Sequence, residues 1–317
     1  MSRSPKALCG AFTRNALFGA LTGALLVAAM PLAAQERMTL GIGRMFTNDY
    51  LGDGEDRWRT GGYQMSVMRG PIWDGMLPSR PGSLLEYRLR SEIIAPSELS
   101  TPPAGDRRYA GVLSFGLHSH FALGTAEAVA GLDLVAMGPK TGVGSVHDWL
   151  HEQVSAPAVS VVDDQIGNRI VPTLSGELGK TFALGSHAEL RPFVGARVGD
   201  ETLVRVGADL TLGQIERGAL WSRDTVTGHR YVSISGNSEP GASFVLGGDA
   251  AYVADSVYLN GGGNDPEPED SRFRVRAGMQ VRGERMGLFY GATWLSEEFE
   301  GQPEGQVLGS MRLRMNF

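Results

Sequence analysis

The sequence predicts an all-β fold: one antiparallel, membrane-spanning β-barrel of about twelve strands, with a short helix in its outer loops. Three observations carry this expectation. Residues Ser310 to Phe317 alternate without a fault, with Met311, Leu313, Met315 and Phe317 opposed to Ser310, Arg312, Arg314 and Asn316. The stretch 272–282 does the same, with Phe273, Val275, Ala277, Met279 and Val281 opposed to Arg272, Arg274, Arg276, Gln280 and Arg282. Such alternation gives a strand one apolar and one polar face. These runs are also about ten residues long, as a tilted membrane-crossing strand requires.

An exported β-sandwich would show the same alternation with its polar faces in water. The barrel is preferred because short turns such as Gly185-Ser186 alternate with long polar stretches such as 260–271, and because the sequence closes on the aromatic Phe317 inside its last strand. Arg272, Arg274 and Arg276 are then expected in the lumen, since an arginine facing lipid at the midplane costs about 2–4 kcal/mol. Weaker alternation at 63–68, 87–92, 205–212 and 286–294 marks further strands.

The N-terminus reads as an address. Residues 1–34 carry Arg3, Lys6 and Arg14 and no acid, then the apolar stretch Ala16 to Ala29 and small residues before Gln35. That is the pattern of a secretory signal peptide cut after Ala34, with an uncleaved anchor helix as the alternative. Without Arg3, Lys6 and Arg14 the 29 basic residues become 26 against 35 acids, a net charge of −9. About 283 residues remain, and about 24 per strand and its share of loops gives roughly twelve strands, in one domain over 35–317.

Composition removes other classes. A chain of 317 residues, 42% hydrophobic, is too apolar for disorder. The segment beyond the leader has no run of eighteen apolar residues, which excludes a helical membrane protein. The single cysteine, Cys9, excludes a disulfide framework and a cysteine-based zinc site. The acidic balance argues against nucleic acid as a partner.

Three polar clusters stand out. Thr47-Asn48-Asp49-Tyr50 follows the first strand (Met38–Phe46) and precedes Asp53, Glu55, Asp56, Arg57 and Thr60. Clustered carboxylate and carbonyl oxygens suit a hard cation such as calcium, although a solvated acidic loop has the same composition. The second is Ser145-Val146-His147-Asp148-Trp149-Leu150-His151-Glu152, read as a short helix capped by Ser145. His147 and His151 share one face of it, Asp148 and Glu152 the next. On residues alone the two histidines are an inert surface turn, a general base or a zinc pair, in that order. The third is the Pro-rich loop 95–111, where Asp106 and Arg107 are expected to form a pinning ion pair.

Taken in order, these pieces resemble the outer-membrane lipid A deacylase family of the LpxR type. The resemblance covers nearly the whole chain beyond the leader. It runs through Asn48-Asp49, Asp56-Arg57-x-x-Thr60-x-Gly62, the Pro96–Gly111 loop with its Asp-Arg-x-Tyr-Ala-Gly end, Gly138-Pro139 and the histidine-bearing helix. It then continues through Asp164-Gln165-Ile166-x-Asn168-Arg169, Ser296-x-x-Phe299 and Phe317. It implies a twelve-stranded barrel in the bacterial outer membrane with a site between wall and outer loops. It also implies calcium-dependent hydrolysis of the 3′-acyloxyacyl ester of lipid A by a monomer in the bilayer. A histidine activates water while calcium holds the oxyanion.

By position, Asn48 and Asp49 fall on the family's calcium-side pair and Thr60 on its site threonine. His151 falls on the general base, and His147 on a position where the family has glutamine. The family's site lysine falls near Thr101, with no lysine in 96–111, and its acid six residues after the base falls on Pro157, leaving Glu152 as the substitute ligand. The alternatives kept open are a catalytically weak or inactive barrel that binds lipopolysaccharide, and an outer-membrane phospholipase.

Overall fold

The computed structural model describes residues 37–237, 239–259 and 265–315. The leader 1–34 and Phe317 lie outside them. In chain order the strands are β1 (Met38–Asn48), β2 (Trp58–Gly70), β3 (Leu84–Ala95), β4 (Ala110–Leu123), β5 (Ala126–Met137), β6 (Arg169–Gly179), β7 (Phe182–Ala183) and β8 (Ala188–Val198). They continue as β9 (Glu201–Gly213), β10 (Leu220–Arg223), β11 (Arg230–Ile234), β12 (Gly241–Ser256), β13 (Ser271–Arg282), β14 (Met286–Leu295) and β15 (Gln306–Met315). Among the described residues there is one α-helix, α1 (Val143–Val154), between β5 and β6.

Twelve long strands pair antiparallel around a closed ring, with β15 on β1 and β6 on β8 completing it. β7 is a two-residue extension on β8. Closure leaves no strand edge in lipid, where an unpaired backbone group would cost several kcal/mol. The seam between β1 and β15 is short: its described pairs are Phe46↔Met311, Thr47↔Ser310 and Asn48↔Gly309. No described helix is long and apolar enough to cross a membrane.

Alternation sets the two faces as expected. On β13, Phe273 and Val275 are exposed while Arg272, Arg274 and Arg276 are buried in the lumen. Each of these arginines meets a carboxylate. Arg276 Nη1 lies 2.5 Å from Asp249 Oδ2, Arg274 Nε 2.9 Å from Asp249 Oδ1, and Arg272 Nη1 2.7 Å from Glu201 Oε1. Arg223 spans Glu177 at 2.6 Å and Asp209 at 3.0 Å. The barrel interior is therefore a charged core. Breaking one buried pair would leave its partner uncompensated.

The sequence reading missed the segment between β9 and β12. Residues 214–237 fold back into the lumen as the β10–β11 hairpin, from the end that also holds the 71–83 turn, to which Trp73 Nε1 ties it by donating to the Gly218 carbonyl at 2.8 Å. Inside, the Tyr231 hydroxyl lies 2.7 Å from both Gln64 Nε2 and Ser66 Oγ on β2, and His229 packs edge-on against Phe289 of β14. Gly41 and Gly43 on β1 make room for it. A Cβ at Gly41 would stand 2.2 Å from the Ser233 carbonyl oxygen, and one at Gly43 2.8 Å from the Tyr231 ring. A cavity of about 610 Å³ remains between the hairpin and the β4–β9 wall, lined by Arg88, Arg191, Arg223 and Arg230 among others.

Gly41→Val tests this plug. Overpacking of this kind costs about 1–3 kcal/mol, which here falls on the hairpin–wall contact. The variant should show higher single-channel conductance in planar bilayers than the unsubstituted barrel. Equal conductance would mean that the hairpin does not limit passage.

Candidate active site

The site begins with a bulge. β2 pairs Arg59 with Ile94 of β3 and then Gly61 with Ile93, so Thr60 has no partner on β3. Bulges of this kind re-aim a side chain. Arg59 points inward to Glu92, Glu201 and Glu298, while Thr60 turns toward Asp49 and Asp56. The preceding Trp58 is left-handed, with φ 52°, and fully buried against Leu259 and Phe299. Backbone held this way costs about 1–3 kcal/mol and persists only where its surroundings fix it.

The turn 49–57 is organised around Asp49, which has no exposed surface. Its Oδ1 accepts from Tyr50 N at 2.9 Å and Thr60 Oγ1 at 3.0 Å, and its Oδ2 accepts from Arg57 N at 2.8 Å. Asn48 Nδ2 donates to the Thr60 carbonyl at 2.8 Å. Burial, reinforced by the neighbouring Asp56, pushes the Asp49 carboxyl up to about 8 despite these donors.

α1 starts at Val143 from Gly142, which is left-handed with φ 72° and offers no side-chain cap; Ser145 lies inside the helix rather than capping it. Its position follows from strand parity. On β4, Leu113, Phe115 and Leu117 face lipid while Ser114, His118 and His120 face the lumen. Gly111, and Tyr109 just ahead of the strand, fall on the lipid-side register, yet both are buried because α1 covers them. A Cβ at Gly111 would stand 2.9 Å from Val143 Cβ and 3.2 Å from Gly144 N. The helix therefore lies outside the barrel wall, at the rim opposite the hairpin's entry.

Between wall and helix, Asp56, His147 and His151 converge, with one ligand atom of each lying within 4.8 Å of the others. His151 Nδ1 donates to the Pro157 carbonyl at 2.7 Å, which leaves Nε2 as the exchanging nitrogen, 2.8 Å from Asp56 Oδ2. The other Asp56 oxygen accepts from Thr60 Oγ1 and stands 3.8 Å from His147 Nε2. His147 Nδ1 lies 3.2 Å from the Tyr109 hydroxyl, and the two rings stack. Burial holds the Tyr109 phenol protonated by pushing it upward, and pushes His147 down to about 4. His147 is thus a neutral imidazole near pH 7.

The structure brings Asn48, Asp49, Thr60, His147 and His151 to one rim. Glu152 is not among them: it is exposed on the helix, while the histidines are buried. The carboxylate facing both histidines is Asp56, which sequence reasoning left inside an acidic run. Its Asp-Arg-x-x-Thr spacing was the available signal. Pro157, where an acid was expected, instead contributes its carbonyl to His151. The pinning of the Pro-rich loop also differs from expectation. Asp106 accepts from Ser97 N at 2.7 Å and Ser97 Oγ at 2.6 Å, while the Arg107 side chain goes to Glu298 at 2.5 Å.

Comparison with known proteins adds to this geometry. The family model described as outer membrane protein LpxR matches residues 20–317. The chain belongs to the LpxR outer membrane protein family. Among solved structures, LpxR from Salmonella typhimurium superposes with a TM-score of 0.73 at 18% identity, covering 87% of this chain and 100% of that one. It supports the LpxR barrel fold. The NanC porin (TM-score 0.39, 7% identity, 87% and 100% covered) and the Bordetella autotransporter Brka β domain (0.38, 14%, 88% and 100%) are too distant to bear on the site. No match was found among curated protein sequences. Membership of the LpxR family and the closed barrel place the chain in the bacterial outer membrane. Outer-membrane barrels carry their long external loops at one end, and the 138–168 connection that holds α1 marks the outward end here.

Two donor sets share Asp56. The oxygens of Asp49, Asp56 and Thr60 converge, with one hydroxyl proton between two carboxylates. Among the described residues no lysine or arginine ion-pairs with either carboxylate. That arrangement fits a hard, oxygen-preferring cation such as calcium. Asp56 with His147 and His151 is instead the nitrogen-rich set that zinc accepts.

The depressed His147 makes the rim sensitive to acid. The unfolded histidine takes up its proton near its ordinary value, about 6.5, whereas the folded one resists until about 4. Over that window the unfolded state binds more protons, so stability falls as pH falls, and the contribution is fully present above it. The protection factors of the α1 amides, taken relative to their intrinsic exchange at each pH, should fall progressively as pH drops through this window, and His147→Gln should flatten the dependence. An unchanged slope in the variant would place the titration elsewhere.

Proposed function

We propose that this chain is a calcium-dependent lipid A 3′-O-deacylase that hydrolyses the 3′-acyloxyacyl ester in the outer leaflet. The supporting observation is the orientation of His151. Its Nδ1 is committed to the Pro157 carbonyl, and its Nε2 faces Asp56 between α1 and the outer side of the wall. An ester held at membrane level would meet that nitrogen without entering the lumen.

In this reading Nε2 takes a proton from water as the water oxygen bonds to the ester carbonyl carbon. The tetrahedral intermediate then expels the alkoxide, which recovers the proton from the imidazolium. Asp56 stabilises the imidazolium that forms in between. His147, neutral and braced by Tyr109, positions Asp56 and carries no proton in the reaction. Calcium, when bound by Asp49, Asp56 and Thr60 with Asn48 at the edge, would polarise the carbonyl and neutralise the oxyanion. A second reading is favoured by the Asp56–His147–His151 grouping: those three side chains would hold zinc, which would supply the activation of water in place of a histidine base.

Mass spectrometry of lipid A from cells expressing the protein tests both. Loss of one acyloxyacyl group is expected with calcium present. Chelation should stop it, and calcium rather than zinc should restore it. His151→Ala should cost about 10²–10⁴-fold in rate, while His147→Gln should be tolerated. Zinc-specific rescue, or a dead His147→Gln beside an active His151→Ala, would overturn the base assignment. Unchanged lipid A would leave a lipopolysaccharide-binding scaffold, and fatty acid released from glycerophospholipids instead would make the protein a phospholipase.

A further inference from the structure

One flank of α1, beside the side seated on the wall, is mostly apolar, with the exposed Gln153 as its one polar member. Val146, Trp149, Leu150 and Val154 are 55%, 54%, 45% and 73% exposed. At 3.6 residues per turn they cover a sector wider than about 100°, and that sector borders the buried His147–His151 sector. Ser145, Asp148 and Glu152 fall on the remaining side. A helix on a watery loop would not be built so.

Strand parity says what this sector meets. Val143 and Gly144 seat α1 on Gly111, and the next residues down that same face of β4 are the lipid-facing Leu113 and Phe115. On β6, whose first residues follow the helical loop, Ile170 is 72% exposed on the same outer surface. The apolar sector thus continues the barrel's lipid-facing belt upward. Lys140, ahead of the helix, and Arg169, ahead of Ile170, are exposed beside it, and Lys140 N is tied to Asn168 Oδ1 at 2.8 Å. Cations bordering an apolar helical face suit anionic headgroups above acyl chains. Trp149 is the residue type that settles at that boundary.

We propose that α1 is an in-plane membrane helix whose Val146–Trp149–Leu150–Val154 sector lies among the acyl chains of the outer leaflet. The histidine edge of the helix, with Asp56 against it, then borders the lipid phase. This deepens the proposed function by restricting the substrate to an ester whose acyl chains already lie in the membrane. A soluble ester of the same chemistry would have to cross the apolar sector to reach His151.

The test reads depth, not catalysis. The only cysteine in the sequence is Cys9, in the leader, so single cysteines can be labelled cleanly. Val146→Cys and Val154→Cys would carry bimane in barrels refolded into phosphatidylcholine vesicles, with Ser145→Cys and Glu152→Cys as the comparison. Doxyl-labelled phospholipid should quench the first pair several-fold more than the second, and aqueous iodide should show the reverse order. Equal iodide quenching at all four positions, with no response to doxyl lipid, overturns the proposal. Heat-modifiable gel mobility confirms that each labelled barrel is folded. Doxyl quenching without any deacylation would retain the membrane helix and remove the deacylase reading, whereas deacylation without doxyl quenching would do the opposite.

Discussion

Arg59 governs the rim. It sits inside the barrel among Glu92, Glu201 and Glu298, and Glu298 is also held by Arg107 from the Pro-rich loop. A guanidinium with that many carboxylates cannot turn outward without leaving several buried charges unpaired. With Arg59 fixed inward, the bulge has one outcome: Thr60 is displaced toward the outer side, where Asp49 and Asp56 meet it. The left-handed Trp58 pays for the change of direction and is locked by Leu259 and Phe299. Everything chemically interesting outside the wall is thus referenced to a charge cluster inside it.

The same partition explains what the sequence could disclose. β13 and β15 were legible because a lumen of ion pairs and a belt of lipid impose opposite chemistry on alternate residues. β10 and β11 were not, because a hairpin inside a charged lumen has neither a wet face nor a lipid face, and at Leu220–Arg223 and Arg230–Ile234 it is too short to show a period. The helix was legible from its histidine spacing, but its start was not. Gly142 begins it through a left-handed turn, where side-chain capping rules favoured Ser145. Glu152 looked as near to the site as His151 in sequence, yet one helical step puts it on another face. Asp56 was hidden because an acidic loop does not say which of its carboxylates turns back toward a helix some ninety residues later.

The rim also shows why one carboxylate can serve several partners. Asp49 is almost entirely committed to backbone N–H groups, which makes it the fixed point of its turn. Asp56 is bound only by side chains, the Thr60 hydroxyl and the His151 imidazole, with His147 standing 3.8 Å away. A group so held can rearrange as protons or cations arrive, while its neighbour keeps the turn in place. Rigidity and responsiveness are thereby divided between two acids seven residues apart.

The lumenal hairpin bears on how the barrel closes. β9 and β12 pair directly, so the excursion between them is a local loop that can form before the ring is complete. Its inner strand lies against β1, at Gly41 and Gly43, close to the short junction with β15. The first strand of the chain therefore has a surface waiting for it in the middle of the molecule, independent of its last neighbour. The hairpin thus braces β1 from inside the barrel, beside the short seam where β1 meets β15.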